Sequence, residues 1–109
     1  MSYNVLFLCS QNKLRSPTAE QIFASWDSIE CDSAGLAPDA TVPVSAEQIE
    51  WADIIFVMEK AHRNKLGKKF KSYLKNKRIF VLGIPDDYDF MDPDLISLLK
   101  TKVPQFLRR

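Results

Sequence analysis

Cysteine and histidine are scarce in this chain of 109 residues, which has two cysteines and one histidine. Cys9 and Cys31 are too few for a disulfide framework, so we expect a reducing, cytoplasmic compartment. His62 lies in a lysine-rich segment without a second candidate ligand, so we expect no metal and no other cofactor. The net charge of +1 predicts no strong attraction to nucleic acid or to a membrane surface.

Long apolar runs are also absent. No run is long enough to span a bilayer, and no basic segment followed by a long apolar one marks a signal peptide near the N-terminus. Internal repeats, low-complexity tracts and linkers are missing as well. The composition, 46% apolar and 27% charged, is typical of a single globular domain, which we expect to span residues 1–109.

Strand-like and helix-like segments alternate along the chain. Contiguous apolar residues, typical of parallel strands covered on both faces, predict strands at 4–8, 54–58 and 78–82, and a short strand is also predicted at 29–33, before the turn signal at Gly35. Helices are predicted at four places: from Pro17 with an apolar face of Ala19, Ile22, Phe23 and Trp26, from a capping box at Ser45 to Ala52, over 61–70, and from an N-cap at Asp92 to a bend at Pro104. This order predicts an α/β fold, a single doubly wound domain whose four-stranded parallel sheet has helices on both faces.

Residues 9–16, here called the cysteine loop, connect the first strand to the first helix. In an open parallel sheet, ligands bind outside the carboxyl ends of the strands, which is where Cys9 lies. A helix N-terminus and a run of loop amides favour an anion and the reactive thiolate of Cys9, and the Arg15 guanidinium can hold two phosphate oxygens. We therefore expect phosphate to be bound by Ser10, Gln11, Asn12, Lys13, Leu14, Arg15 and Ser16.

These residues predict covalent phosphoryl transfer. Cys9 would attack phosphorus in line, Arg15 would stabilise the equatorial charge, and water would then hydrolyse the cysteinyl-phosphate. Ser16 can hydrogen-bond the thiolate, and Asn12 tolerates the left-handed backbone of a tight loop. The alternative is that Cys9 is a small buried hydrophobe, since this cysteine–arginine spacing arises often by chance. The strand before the loop and the helix after it favour the catalytic interpretation.

An acidic, aromatic loop at 85–90 follows the fourth strand and so emerges at the same sheet edge as the cysteine loop. A leaving group needs a proton, which a carboxylic acid would supply. Asp86 is the first choice for this donor and Asp87 the second. Tyr88 and Phe90 would line the substrate pocket and stack on an aryl phosphate. The alternative is a solvated acidic turn with two core aromatics.

The cysteine loop resembles that of the low-molecular-weight protein tyrosine phosphatases. Their pattern is a cysteine, five residues, arginine and serine, with an asparagine three residues after the cysteine and a proline after the serine. The matching residues here are Cys9, Asn12, Arg15, Ser16 and Pro17, and weaker matches lie at 32–35 and 52–59. The resemblance implies the family's α/β fold, a nucleophilic cysteine, phosphate bound by the arginine and the loop amides, and an aspartate proton donor.

The family's proton donor is usually an Asp-Pro pair beside tyrosines. Asp86-Asp87-Tyr88 fits that place without its proline, whereas Asp92-Pro93 has the dipeptide but stands at the predicted start of a helix. The resemblance therefore leaves the identity of the donor open.

The chain departs from this family in several respects, and Gln11 stands where a glycine is common. The chain is shorter, and residues 36–44 stand where a helix usually follows the second strand, so a more open pocket is expected. Leu14 occupies the place where some members have a second cysteine, so no disulfide would protect Cys9 from oxidation. Arsenate reductases of the same fold relay oxidation through further cysteines, and only Cys31 remains here for that role. Phosphatases of the RNA polymerase tail share the loop but are longer.

Two classes of function follow from these residues. The first is a phosphatase acting on a phosphate monoester, with a phosphotyrosine protein or another aryl phosphate as substrate. The second is a module that holds phosphate or a phosphorylated partner without turnover. The basic stretch 60–78 could attract an acidic partner or nucleic acid, although a solvated helix face is the more usual reason for such a run. The sequence has no signal for a membrane partner or for an oligomeric state.

Overall fold

The computed structural model describes residues 3–107, and its four strands form one parallel sheet. The strands are β1 (Tyr3–Cys9), β2 (Ile29–Gly35), β3 (Ile54–Val57) and β4 (Arg78–Val81). The helices in this range are α1 (Arg15–Phe23), α2 (Ala46–Trp51), α3 (Lys60–Phe70), α4 (Pro93–Lys102) and α5 (Pro104–Leu107), and a 3-10 turn (Lys71–Tyr73) follows α3. The predicted α/β fold is confirmed. No helix within residues 3–107 has the length and apolar character needed to cross a bilayer.

The strand order β2-β1-β3-β4 brings two chain segments together at one edge of the sheet. The chain leaves β1 for β2 on one side and then crosses to β3 on the other. This creates a switch point between β1 and β3, where open sheets of this kind bind ligands. Leu8 pairs with Val57 at that end of the sheet, so the cysteine loop after β1 lies beside the residues that follow β3.

The core has two layers, one on each face of the sheet. Phe7 lies on the first face, stacked between Phe23 of α1 at 5.8 Å and Phe56 of β3 at 5.4 Å. Leu6 and Leu8 lie on the second face, in a cluster with the buried side chains of α2 and α3. Because both faces are covered, every residue of the middle of β1 is buried, which explains its contiguous apolar run.

Helix α1 differs from its prediction at both ends. It begins at Arg15, not at Pro17, because the carbonyl of Leu14 accepts hydrogen bonds from the Thr18 amide at 3.1 Å and from the Thr18 hydroxyl at 2.6 Å. Pro17 still lies in the first turn, where its missing N–H is not needed. Trp26 lies beyond the end of the helix and is 38% exposed, so its assignment to the apolar face of the helix was wrong.

The local signals for the other helices were read correctly. The Ser45 hydroxyl accepts from the Gln48 backbone amide, and the Gln48 side-chain oxygen accepts from the Ser45 backbone amide, which is the predicted capping box. The Asp92 carboxylate accepts from the Asp94 amide at 2.8 Å and caps α4. Pro104 separates α4 from the short α5, as its ring requires.

Candidate active site

The sulfur of Cys9 lies at the carboxyl end of β1 with polar partners on two sides. The Asn12 amide donates to Sγ at 3.3 Å, and the Ser16 hydroxyl lies 3.0 Å from it. The residue is 3% exposed, and helix α1 begins six residues later, at the far end of the cysteine loop. The Asn12 amide, and the Ser16 hydroxyl when it donates, can each hydrogen-bond a negatively charged sulfur.

Backbone hydrogen bonds to the segment after β2 hold the cysteine loop in a concave shape. Three successive loop carbonyls each accept a hydrogen bond of 2.9 Å from a backbone amide of that segment. The Leu36 amide donates to the Cys9 carbonyl, the Ala37 amide to the Ser10 carbonyl and the Thr41 amide to the Gln11 carbonyl. In a trans peptide the N–H points opposite to the C=O. The amides that share these peptide groups therefore turn to the side of the loop where the sulfur lies, as the Asn12 amide does. Such a row of amides binds anions.

Asn12 fixes the middle of the loop. Its φ is 56°, the left-handed conformation expected from the sequence. Its side-chain amide donates to the hydroxyls of Ser16 and Ser33, both at 3.0 Å, and Ser33 in turn donates to the Glu20 carboxylate. This buried network connects the loop to α1 and β2, and it gives Asn12 a second role that the sequence did not predict.

Arg15 is buried, and its guanidinium is held from one side. Nη1 donates to the Glu59 carboxylate and to the Ile84 carbonyl, the latter at 2.8 Å, and Nε lies 3.7 Å from an Asp86 carboxylate oxygen. Nη2 makes no hydrogen bond within residues 3–107. No fully buried side-chain nitrogen in that range lacks a partner, so Nη2 is not fully buried. The Nε–Nη2 edge is thus available to a ligand, while Glu59 balances the buried charge.

A cavity of about 100 Å³ lies over the sulfur. Its lining residues are Cys9, Ser10, Gln11, Lys13, Leu14, Arg15 and Asp86. Whole small-molecule ligands usually occupy pockets of about 300–1,000 Å³. This cavity is smaller, so it suits a compact group such as a phosphoryl group and leaves the rest of a substrate outside.

The structure brings together most, but not all, of the side chains predicted for the site. Asn12 and Ser16 contact the sulfur but do not line the cavity. Asp87 is exposed and does not line the cavity. Tyr88 packs against the core cluster on the first face of the sheet, and Phe90 is 50% exposed; neither lines the cavity.

His62 joins the site although the sequence offered no partner for it. Its Nδ1 accepts from the Glu59 amide at 3.1 Å, and its Nε2 lies 2.9 Å from the Ser10 hydroxyl. Burial, and then the nearby positive charge of Arg15, lower the pKa of His62 below its usual 6.5. Within residues 3–107 no three His, Cys, Asp or Glu side chains gather as a metal site.

The second cysteine lies far from the first. Cys31 pairs with Val5, four residues before Cys9 along β1, which is about 13 Å at the usual rise of a strand. This exceeds the Cα separation that a disulfide permits. Burial and the neighbouring Glu20 carboxylate raise the pKa of the Cys31 thiol to about 12. The geometry therefore disfavours an oxidation relay between Cys9 and Cys31.

No family model and no curated protein matches this chain, but solved structures do. YwlE from Bacillus subtilis is 21% identical over 98% of this chain and 100% of its own, with a TM-score of 0.76. The YwlE arginine phosphatase from Geobacillus stearothermophilus is 20% identical over 98% and 97%, with a TM-score of 0.69. The tyrosine phosphatase Wzb from Escherichia coli K30 in complex with phosphate is 18% identical over 97% and 96%, with a TM-score of 0.78. These likenesses show that the chain has the fold expected from its resemblance to the low-molecular-weight phosphatases.

Proposed function

We propose that this protein is a phosphatase that hydrolyses phosphate monoesters through a cysteinyl-phosphate intermediate. One observation carries the proposal: the Cys9 sulfur, 3.3 Å from the Asn12 amide, lies under a small cavity that Arg15 also lines. A buried cation, inward-turned amides and a thiol together suit a dianion and a nucleophile. The fold shared with solved phosphatases supports the same conclusion.

The first chemical step is attack by the Cys9 thiolate on phosphorus. A sulfur–phosphorus bond forms as the bond to the leaving oxygen breaks, and the Nε–Nη2 edge of Arg15 stabilises the equatorial oxygens. In the second step water attacks phosphorus, the carboxylate that Asp86 became on giving up its proton in the first step accepts a proton from that water, and the sulfur–phosphorus bond breaks as the thiolate departs. Ser16, 3.0 Å from the sulfur, stabilises that thiolate as it is released.

Asp86 is the proposed proton donor to the leaving oxygen. It lines the cavity, and its carboxylate approaches Nε of Arg15 at 3.7 Å. A donor must lie within hydrogen-bond reach of the leaving group, either directly or through one water molecule. Asp87 does not line the cavity, and Asp92 is engaged as the cap of α4, so the geometry supports Asp86 over both.

The proposed substrate is a phosphotyrosine protein or another aryl phosphate. A phosphoarginine protein is the second candidate, because the structures of similar fold include YwlE arginine phosphatases. The two candidates separate in a direct comparison of a phosphotyrosine peptide with a phosphoarginine peptide of the same sequence. A higher kcat/KM for the phosphotyrosine peptide supports an aryl ester as the substrate. A higher kcat/KM for the phosphoarginine peptide identifies the substrate as a phosphoramidate instead.

The deciding experiment is hydrolysis of p-nitrophenyl phosphate, in the presence of EDTA, by the wild type and two variants. Cys9→Ser should lose activity by at least about 10⁴-fold, because the nucleophile is removed. The matched control Cys31→Ser should retain wild-type activity, since Cys31 lies on β2 opposite Val5, four residues before Cys9. Equal and negligible rates in the wild type and Cys9→Ser, with phosphate still bound, would instead establish a non-catalytic phosphate-binding module.

A further inference from the structure

The hydrogen bonds of His62 determine which of its ring nitrogens carries the proton. Nδ1 faces the Glu59 amide at 3.1 Å, and an amide can only donate, so Nδ1 is the acceptor. Because Nδ1 accepts this hydrogen bond it carries no proton, so the buried ring, which is 3% exposed, holds a single proton and is neutral. A neutral imidazole with a bare Nδ1 carries its proton on Nε2.

The Ser10 hydroxyl must therefore accept from His62. Nε2 lies 2.9 Å from Oγ and donates to it, which leaves the hydroxyl proton of Ser10 for another acceptor. Within residues 3–107 this hydroxyl has no further partner. Ser10 lines the cavity over Cys9, so its hydroxyl proton is available to a group bound in that cavity.

We propose that the Ser10 hydroxyl donates a hydrogen bond to a phosphate oxygen bound in the cavity, and that His62 positions it for this contact. Ser10 is then a binding residue and His62 a positioning residue that does not touch the substrate. The proposal rests on the anion site of the proposed function. It adds a side-chain donor to the backbone amides and the Arg15 guanidinium.

The connection also joins two elements at the switch point of the sheet. Ser10 follows β1, whereas Glu59 and His62 begin α3 after β3. Glu59 contacts His62 through its amide and Arg15 through its carboxylate. The start of α3 thus holds both the arginine and the serine on one side of the cavity. A phosphate bound there would accept from two side chains positioned by the same helix.

The test measures the affinity for inorganic phosphate, both as the inhibition constant in the wild-type background and by titration of Cys9→Ser, which needs no turnover. Ser10→Ala should weaken phosphate binding by about tenfold to hundredfold, the usual range for a hydrogen bond to a charged group. Ser10→Thr, which keeps the hydroxyl, should restore most of the affinity. Ser72→Ala, at an exposed serine after α3, is the control and should leave the affinity unchanged.

Two variants separate positioning by His62 from its structural role. The amide nitrogen of His62→Gln can replace Nε2 and donate to Ser10, whereas the amide oxygen of His62→Asn can replace Nδ1 and accept from the Glu59 amide. Positioning predicts that His62→Gln binds phosphate more tightly than His62→Asn, whichever of the two is more stable to heat. It also predicts that His62→Asn has no additional effect in the Ser10→Ala background.

The outcomes are distinct. Unchanged phosphate affinity in Ser10→Ala overturns the proposal even if His62 variants fail to fold. Additive effects of Ser10→Ala and His62→Asn overturn the positioning role. Loss of affinity in Ser10→Ala in a protein that shows no turnover keeps this inference and rejects the phosphatase. A wild type that binds no phosphate rejects both.

Discussion

The carbonyl oxygen of Ser10 passes 2.5 Å from the position that a Cβ atom would occupy at Gly35. The amide nitrogen of Asn12 would lie 3.0 Å from the same atom. Gly35 ends β2 and pairs with Cys9 at the end of β1, so the two backbones converge where the cysteine loop begins. Only a residue without a side chain permits this approach.

Gly35→Ala should therefore lower kcat/KM more than it lowers the free energy of unfolding. The added methyl group must push the Ser10–Asn12 backbone out of its concave shape, because its neighbours are backbone and β-carbon atoms and not flexible side-chain ends. We expect a loss of about 1–3 kcal/mol in the free energy of unfolding, as for overpacked cores. The loss of kcat/KM should reach about a hundredfold, as for misplaced catalytic groups.

The control for this substitution is Gly67→Ala in α3. No atom lies within 4 Å of a Cβ at Gly67, and alanine is the better helix former by about 1 kcal/mol, so this variant should be as stable as the wild type or more so. The two variants are compared by urea denaturation and by phosphatase assay. Equal kcat/KM in both would contradict the claim that the cysteine loop needs a residue without a side chain at position 35.

Two substitutions at Asn12 separate the contribution of its left-handed backbone from that of its side-chain hydrogen bonds. Asn12→Gly keeps the left-handed backbone at φ 56° but removes the hydrogen bonds to Ser16 and Ser33, whereas Asn12→Ala removes both. We expect Asn12→Ala to be less stable than Asn12→Gly by about 1 kcal/mol, the cost of the left-handed conformation for alanine. Denaturation midpoints measure the difference. The backbone role is contradicted if Asn12→Ala proves the more stable variant.

Asp86 and Asp87 form a matched pair for the proton donor. Asp86→Asn should lower kcat by about 10²–10⁴-fold for phenyl phosphate, whose leaving group needs a proton, and much less for p-nitrophenyl phosphate, whose leaving group does not. Asp87→Asn should leave both rates unchanged. The opposite pattern would assign the donor to Asp87.

The features that could be read from the sequence are those that depend on neighbours in the chain. The left-handed backbone of Asn12, the cap at Asp92 and the place of Cys9 at a strand end follow from residue types a few positions apart. Contiguous apolar residues in β1 gave the buried parallel sheet by the same local logic.

The features that were missed join residues distant in the chain. Ser10 and His62 are 52 positions apart, and Arg15 and Glu59 are 44 apart. Their contacts depend on the crossover from β1 to β3, which periodicity does not reveal. Only the spacing of Glu59 and His62, three positions apart like the members of a capping box, was a visible signal. The closeness of the segment after β2 to the loop likewise depends on strand register.

The two thiols should differ in reactivity. With a pKa of about 12, Cys31 has a thiolate fraction of about one in ten thousand at pH 8. Iodoacetamide at that pH should label Cys9 and leave Cys31 unmodified, and inorganic phosphate should slow the labelling of Cys9. Peptide mass analysis identifies the site. Equal labelling of both cysteines in the folded protein would contradict the assignment of Cys31 as an unreactive buried thiol.

Because His62 is buried and neutral, the free energy of unfolding should fall at acidic pH. Its pKa is lowered in the folded protein by burial and by Arg15, so below pH 6.5 the unfolded chain takes up a proton that the folded chain resists. The contribution of His62 to stability is therefore complete above pH 6.5 and declines as the pH falls below it. The decline has a limiting slope of about 1.4 kcal/mol per pH unit. Because carboxylates also titrate in acid, the measurement is the difference between the wild type and His62→Gln in urea denaturation at pH 7.5 and pH 5. The wild type should lose more stability than the variant over that interval, and identical losses would show that the ring is not held neutral.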